Sequence, residues 1–255
     1  MHTDVQSFAA AHLLRRPDAC RAGGFVLGFD PATTSPYVNY ATPVPGAEPT
    51  DTDVADLIAA FRARGLMPRL EFAPDAAPGV EPALRRAGFT TEAVHEYLVC
   101  TPAALTPPGA APGPGARVRV EAPVTDEDYS AIDRALSEAF GGEWAPSPEG
   151  AARLRRTEEG GGAVRFVRAE DGGCAGGALC SAPAEGTAEL AGVGTLSAYR
   201  GRGIAGAVTV SLAETLFARG ARTVWLEYSG DGSRRVYERV GFRSGGTRLY
   251  LRHEG

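Results

Sequence analysis

The feature that most constrains this chain is the stretch Glu189 to Ala205, ELAGVGTLSAYRGRGIA, because it must change conformation twice in a few residues. Glu189 to Leu196 alternates with a period of two, as a half-buried strand does. Arg200-Gly201-Arg202-Gly203 cannot continue that strand, and the apolar run Gly206 to Ala218 then has the length of a helix. The turn therefore sits at a helix mouth, where the first four backbone N–H groups have no partner of their own. Glycines allow the backbone close to a ligand, and N–H groups at the positive end of a helix suit a phosphate. Arg202 adds mobile positive charge. The same turn could equally face water, since short glycine-rich turns are common. No Gly-Lys-Ser/Thr follows, so no nucleotide loop of that kind is present.

The chain also repeats itself. Ala60-Phe-Arg-Ala-Arg-Gly65 resembles Leu216-Phe-Ala-Arg-Gly220, and Leu70-Glu-Phe72 echoes Leu226-Glu-Tyr228. Val80 to Phe89 echoes Ser233 to Phe242, both ending in Gly-Phe. The order helix, Gly, strand, helix, Gly-Phe occurs in both halves, which points to two related units. Chance matches in an Ala- and Arg-rich chain are the competing explanation.

Length and composition agree with two units, since 255 residues suffice for two domains of about half that size. No apolar run reaches the ~18 residues of a membrane span, and the N-terminus lacks the ordered regions of a signal peptide. A cytoplasmic protein is expected. Cys20, Cys100, Cys174 and Cys180 lack metal-ligand spacing, so neither zinc nor a disulfide frame is expected. A net charge of −5 argues against nucleic-acid binding as the main task. Lysine is absent, and Arg carries all the permanent positive side-chain charge.

In chain order, the spacing predicts a helix over Ala9 to Arg16, strands over Phe25 to Phe29 and Tyr37 to Thr42, and a helix Val54 to Arg64 capped by Asp53. A strand Arg69 to Phe72, a helix Val80 to Ala87 and a strand Glu96 to Cys100 complete the first half. Thr101 to Gly115, rich in Pro and Gly, reads as a linker. The expected domains are residues 1–100 and 116–255, joined by 101–115. The second opens with a strand at Arg117 to Glu121. A capping box at Thr125 and Asp128 then precedes a helix Glu127 to Phe140. Residues 143–162 read as irregular apart from a helical turn at Ala151 to Arg155. Val164 to Ala169 and Gly176 to Ser181 form a hairpin around Asp171-Gly172-Gly173. The central strand and long helix follow. Thr223 to Tyr228 is a strand, Ser233 caps a helix Arg234 to Val240, and Arg248 to Arg252 is the last strand.

Two motifs of the second half carry a resemblance. Arg200-Gly201-Arg202-Gly203-Ile204-Ala205 fits the Arg/Gln-x-x-Gly-x-Gly/Ala signature of the GCN5-related N-acetyltransferases, and Tyr237-Glu-Arg-Val-Gly241-Phe242 fits their Tyr-x-x-x-Gly-Phe ending. The resemblance implies an α/β protein with a mixed central sheet flanked by helices, the acyl-CoA N-acyltransferase fold, duplicated in tandem. It implies transfer of an acetyl group from acetyl-CoA to a primary amine of a small molecule or peptide, by direct attack and without a metal. The alternatives are a non-catalytic acyl-CoA-binding or sensor module, or a protein-interaction scaffold. Acetyl-CoA and an amine are then the partners, with a homodimer possible in principle and neither nucleic acid nor membrane involved.

The same resemblance assigns roles. Backbone N–H groups of Gly201, Gly203, Ile204 and Ala205, with Arg200 and Arg202, would hold the pyrophosphate. The backbones of Val193 and Thr195 would hold the cofactor arm and the thioester carbonyl, helped by a bulge that Gly192 and Gly194 permit. Tyr237 would be the general acid toward sulfur, or simply a core tyrosine. Glu189, placed by parity on one side of the strand with Ala191, Val193 and Thr195, would be the general base, or a residue capping the strand. Similar proteins often carry Asn seven residues before the tyrosine; here it is Gly230, which leaves Ser229 or Ser233 for that contact. The acceptor would be selected by residues 143–162, with Trp144 the candidate among them, and with Glu143, Glu149, Glu158 and Glu159 either drawing a cationic amine or forming a solvated face. In the first half Asp51, Asp53 and Asp56 would repel a pyrophosphate, and Leu84 stands where Tyr237 does. That half is expected to bind no CoA.

Overall fold

The computed structural model describes residues 2–107, 118–142 and 144–254. The second part of the expected linker, Arg117 at the start of an expected strand, and Glu143 lie outside them. The chain divides into two compact units, Met1–Tyr97 with Gly245–Gly255, and Leu98–Ser244.

In chain order the helices and strands are α1 (His2–Leu13), β1 (Asp18–Ala22), β2 (Phe25–Phe29), β3 (Tyr40–Pro43), α2 (Asp51–Arg62), β4 (Arg69–Phe72), α3 (Val80–Arg86) and β5 (Thr90–Cys100). They continue with α4 (Asp126–Ala139), α5 (Pro148–Glu159), β6 (Ala163–Arg168), β7 (Cys174–Cys180), β8 (Thr187–Thr195), α6 (Ile204–Ala218), β9 (Thr223–Glu227), α7 (Gly230–Arg239) and β10 (Arg243–Arg252).

The first unit is a mixed sheet with helices on both faces. β2 lies between β1 and β3, antiparallel to each; β3 runs parallel to β4, which pairs antiparallel with β10. Alternation along β2 sends Phe25, Leu27 and Phe29 into a core with Val54, Leu57 and Phe61 of α2, and sends Val26 the other way, against Ala10 and Leu13 of α1. α2 starts three residues earlier than its apolar pattern suggests. Its cap is Thr50, whose side chain accepts from the Asp53 N–H while the Asp53 carboxylate accepts from the Thr50 N–H. Asp53 is thus the reciprocal member of a capping box and not the cap itself. Those hydrogen bonds from Thr50 hold the Asp53 carboxyl below its ordinary pKa.

The last strand does not fall where the sequence places it. Residues 245–255 group with the first unit because Leu249 to Arg252 pair with Phe72 to Arg69. Hydrophobic periodicity cannot foresee this, since pairing partners distant in sequence leave no local trace.

The second unit has the strand order β9-β8-β7-β6, antiparallel except for the parallel pair β8 and β9. Adjacent glycines reveal its layers: a Cβ on Gly176 would meet Ile204 of α6 at 3.0 Å, and one on Gly177 would meet Ile132 of α4 at 3.6 Å. Successive residues face opposite sides of a strand, so α6 and α4 cover opposite faces. The Thr125–Asp128 capping box of α4 is present. Residues 143–162 are more ordered than expected: α5 spans twelve residues, capped by the Ser147 side chain, and buries Ala151 and Leu154. Its charged sequence hides the short apolar stripe. Of the strand expected at Arg117 to Glu121, the described part makes one isolated bridge, Glu121 to Phe166.

The four cysteines are unpaired, and burial pushes the thiols of Cys100, Cys174 and Cys180 up to about 11, 12 and 11. Among the described residues no group of side chains could hold a metal ion, and no helix is long and apolar enough to cross a membrane.

Candidate active site

The site begins with β8. Its register against β7 slips between Leu179, opposite Ala191, and Gly177, opposite Gly194. Two residues of β8, Gly192 and Val193, therefore oppose Ala178 alone, and Gly192 takes the bulge's left-handed φ of 60°. The extra residue inverts the facing of everything beyond it. Glu189 and Ala191 share the α4 face with Leu179, whereas Val193 and Thr195 turn to the α6 face, where Val193 packs against the core of Leu190, Ile204 and Val208. The parity that set all four on one side fails at the bulge.

β8 and β9 pair only from Thr187 with Thr223 to Glu189 with Trp225, although β8 continues to Thr195 and β9 to Glu227. Their carboxyl ends thus splay into an opening with Glu189 at its apex. The Leu196 N–H donates to the Ala175 carbonyl at 3.0 Å, which fixes the alternation past the bulge: Gly194 bonds toward β7, and the N–H groups of Val193 and Thr195 turn to the opening. Glu189 itself is braced from β7, where the Ser181 hydroxyl accepts its N–H at 3.1 Å and the Ser181 N–H donates to its carbonyl at 2.9 Å.

At the open end lies the mouth of α6. Gly201 and Gly203 have φ of 78° and 80°, in the left-handed region that side chains disfavour, and a Cβ on Gly201 would meet nothing within 4 Å. These glycines are required by backbone conformation, not by crowding. No side chain caps α6, and the N–H groups of residues 201–206 find no acceptor among the described residues. The two arginines fold back on the turn: Arg200 Nε donates to the Thr195 carbonyl at 3.3 Å, and Arg202 Nη2 donates to the Ala198 carbonyl at 3.2 Å, its guanidinium 5.0 Å above the Tyr199 ring. Both are exposed and held by weak contacts, free to redirect to an anion.

α7 leaves the end of β9 and lies along the α6 mouth, where a Cβ on Gly206 would meet Val240 at 3.6 Å and Val236 at 4.0 Å. This brings Tyr237 to the same end of the sheet. Tyr237 is 6% exposed, and burial alone pushes its phenol up to about 12. Ser233 departs from its expected place. α7 begins at Gly230, so Ser233 is inside the first turn and not a cap, and its hydroxyl donates back to the carbonyls of Ser229 at 2.6 Å and Gly230 at 2.9 Å. With Gly230 lacking a side chain, neither position offers the amide expected of an Asn.

Sequence reading missed three features here: the Ser181 brace, the Tyr199 ring beneath Arg202, and the hydroxyl of Thr195, whose Oγ1 is buried without a partner. Only the last carried a signal, as the one hydroxyl in an otherwise apolar run from Leu190 to Leu196.

A mixed sheet whose central parallel pair splays beside an uncapped glycine turn defines an acyl-CoA-dependent acyltransferase fold. Residues 129–242 match the Acetyltransferase (GNAT) family, which uses acyl-CoA as co-substrate. The whole chain aligns with a GCN5-related N-acetyltransferase from Kribbella flavida at 24% identity and TM-score 0.80, covering 100% of this chain and 96% of that one. A GNAT-family acetyltransferase structure from Novosphingobium aromaticivorans aligns at 24% identity and TM-score 0.57, with 98% of each chain covered. A tandem GNAT protein from the clavulanic acid biosynthesis pathway aligns at 14% identity and TM-score 0.63, covering 99% of this chain and 87% of that one. These likenesses extend the fold through the first unit as well. No curated protein sequence matches the chain.

Proposed function

We propose that the second unit transfers an acetyl group from acetyl-CoA to a primary amine by direct attack. The observation that carries this reading is the splay of β8 from β9, with two backbone N–H groups turned into it beside the uncapped mouth of α6. The open N–H groups of residues 201–206, with Arg200 and Arg202, suit a pyrophosphate, and the empty space about Gly201 leaves room for one. The N–H groups of Val193 and Thr195 supply preorganised donors where the thioester oxygen gains charge, the kind of contribution that is usually the largest single one.

Glu189, at the apex, accepts the proton of the incoming ammonium directly or through water. The free amine attacks the thioester carbon, forming C–N and breaking C–S, and the proton shed by the amide nitrogen finally neutralises the thiolate. Tyr237 stays protonated at neutral pH. A phenol at about 12 gives its proton to an ordinary thiolate only at a cost of about 5 kcal/mol. Its contribution is therefore a hydrogen bond to the departing sulfur more than an outright transfer.

Calorimetric titration with acetyl-CoA tests the reading, on wild type and on Gly203→Glu. One equivalent bound by wild type and none by the folded variant supports it. No binding by wild type refutes it, and acetylation of a side chain trapped during turnover refutes direct attack.

A further inference from the structure

The bulge separates two approaches to one opening. The α6 face carries Val193, Thr195 and the glycine turn, and the α4 face carries Glu189 and Ala191. An amine that meets the thioester from the side of Glu189 passes the carboxyl end of α4. That end is aromatic. Phe140 is 38% exposed, its Cε2 lies 3.5 Å from where a Gly194 Cβ would stand, and its ring is 5.8 Å from that of Trp144. Trp144 is anchored by its carbonyl, which accepts from the Ser137 hydroxyl, and packs on the core of Ile132, Leu136 and Phe166. Its indole N–H is buried with no acceptor among the described residues. A buried donor left unpaired costs about 1–3 kcal/mol and calls for an explanation, of which a partner supplied from outside is one.

Resting on the acyltransferase reading above, we propose that Phe140 and Trp144 form the acceptor rim and select a primary amine carried on an apolar ring, such as an arylalkylamine. Exposed aromatic surface gains most from covering by another ring, which adds buried apolar area to the cation–π attraction that any ammonium, a polyamine's included, finds there. Glu189 sits on the same face to receive the ammonium end. Ala191, small and exposed, lies along the strand between Glu189 and Gly194, which Phe140 covers.

The test compares phenethylamine with spermidine and glucosamine in two readouts, acetyl-CoA turnover and quenching of Trp144 fluorescence. Wild type is expected to favour phenethylamine at least tenfold in kcat/KM and to show saturable quenching by it that Trp144→Phe abolishes. Phe140→Ala is expected to lower kcat/KM for phenethylamine about tenfold with an unchanged Kd for acetyl-CoA and an unchanged melting curve. Equal or better turnover of spermidine or glucosamine overturns the proposal, as does an equal loss for all amines in Phe140→Ala. Saturable quenching without turnover of any amine supports the rim while refuting the transferase reading. Absence of both, with acetyl-CoA bound, refutes the rim alone.

Discussion

The two units carry the same opening in opposite states. In the second, the parallel strands β8 and β9 part beyond Glu189. In the first, the parallel strands β3 and β4 meet in the register Ala41 to Leu70, and Gln6 of α1 spans their ends. The Gln6 amide donates to the Pro43 carbonyl at 2.6 Å and to the Thr42 hydroxyl at 2.8 Å, while its oxygen accepts from the Ala73 N–H at 2.8 Å. It is 1% exposed. The first unit satisfies internally, with a side-chain amide, the backbone groups that the second leaves for a ligand. The helix mouths differ likewise. α2 is closed by its own capping box and by acidic residues, whereas α6 is uncapped and flanked by arginines. An open parallel-strand end is thus a binding site only while nothing in the chain takes its hydrogen bonds.

The comparison is most easily broken at the open mouth. Gly203→Glu puts a side chain at φ 80° and a negative charge among the free N–H groups, and acetyl-CoA affinity is expected to fall about 100-fold or more. Retained affinity would mean that the turn holds no phosphate. Next comes the closed end. Gln6→Leu strips partners from Pro43, Thr42 and Ala73 and should cost about 2–4 kcal/mol in chemical denaturation, with no change in acetyl-CoA affinity. A variant that gains a second equivalent of acetyl-CoA would show the first unit to be plugged but otherwise competent.

Tyr237→Phe removes one hydroxyl from a buried ring and is expected to lower kcat about 10- to 100-fold while leaving the Kd for acetyl-CoA alone. An unchanged kcat would return Tyr237 to the role of a core tyrosine. The smallest effect is acid sensitivity confined to the first unit. His12 lies lowered to about 4, first by burial and then by the charges of Arg16, Arg15 and Arg248. Between pH 6.5 and 4 the unfolded chain therefore binds more protons than the folded one. Stability is full above 6.5 and is lost as the pH falls toward 4. Melting temperatures at pH 7.5 and 5.0 should differ less in His12→Gln than in wild type; an equal difference would place the sensitivity elsewhere.

Much of the fold was written locally. β2 and β4 lie at the residues their composition marks, because Phe25 to Phe29 is a short apolar run and Arg69 to Phe72 alternates charged and apolar residues, each bounded by breakers. The capping box at Thr125 and Asp128 is as local as a signal can be. Of α5 the sequence shows only the turn Ala151 to Arg155, because twelve residues with several charges bury little, and the first turn of α7 is hidden because Gly230 and Gly232 mark a turn in isolation.

Within the site, the sequence by itself determined the strand, the glycine turn with its required left-handed backbone, the two arginines and the tyrosine four residues before Gly-Phe. These are properties of neighbours along the chain. Only the tertiary structure decided which face each residue of β8 meets, since a bulge exists only relative to β7. It also decided that Ser233 turns inward, that the last strand joins the first unit, and that Gln6 closes one opening while its counterpart stays free. Each of these depends on a hydrogen-bond partner brought from far along the chain, and local pattern holds no record of that partner.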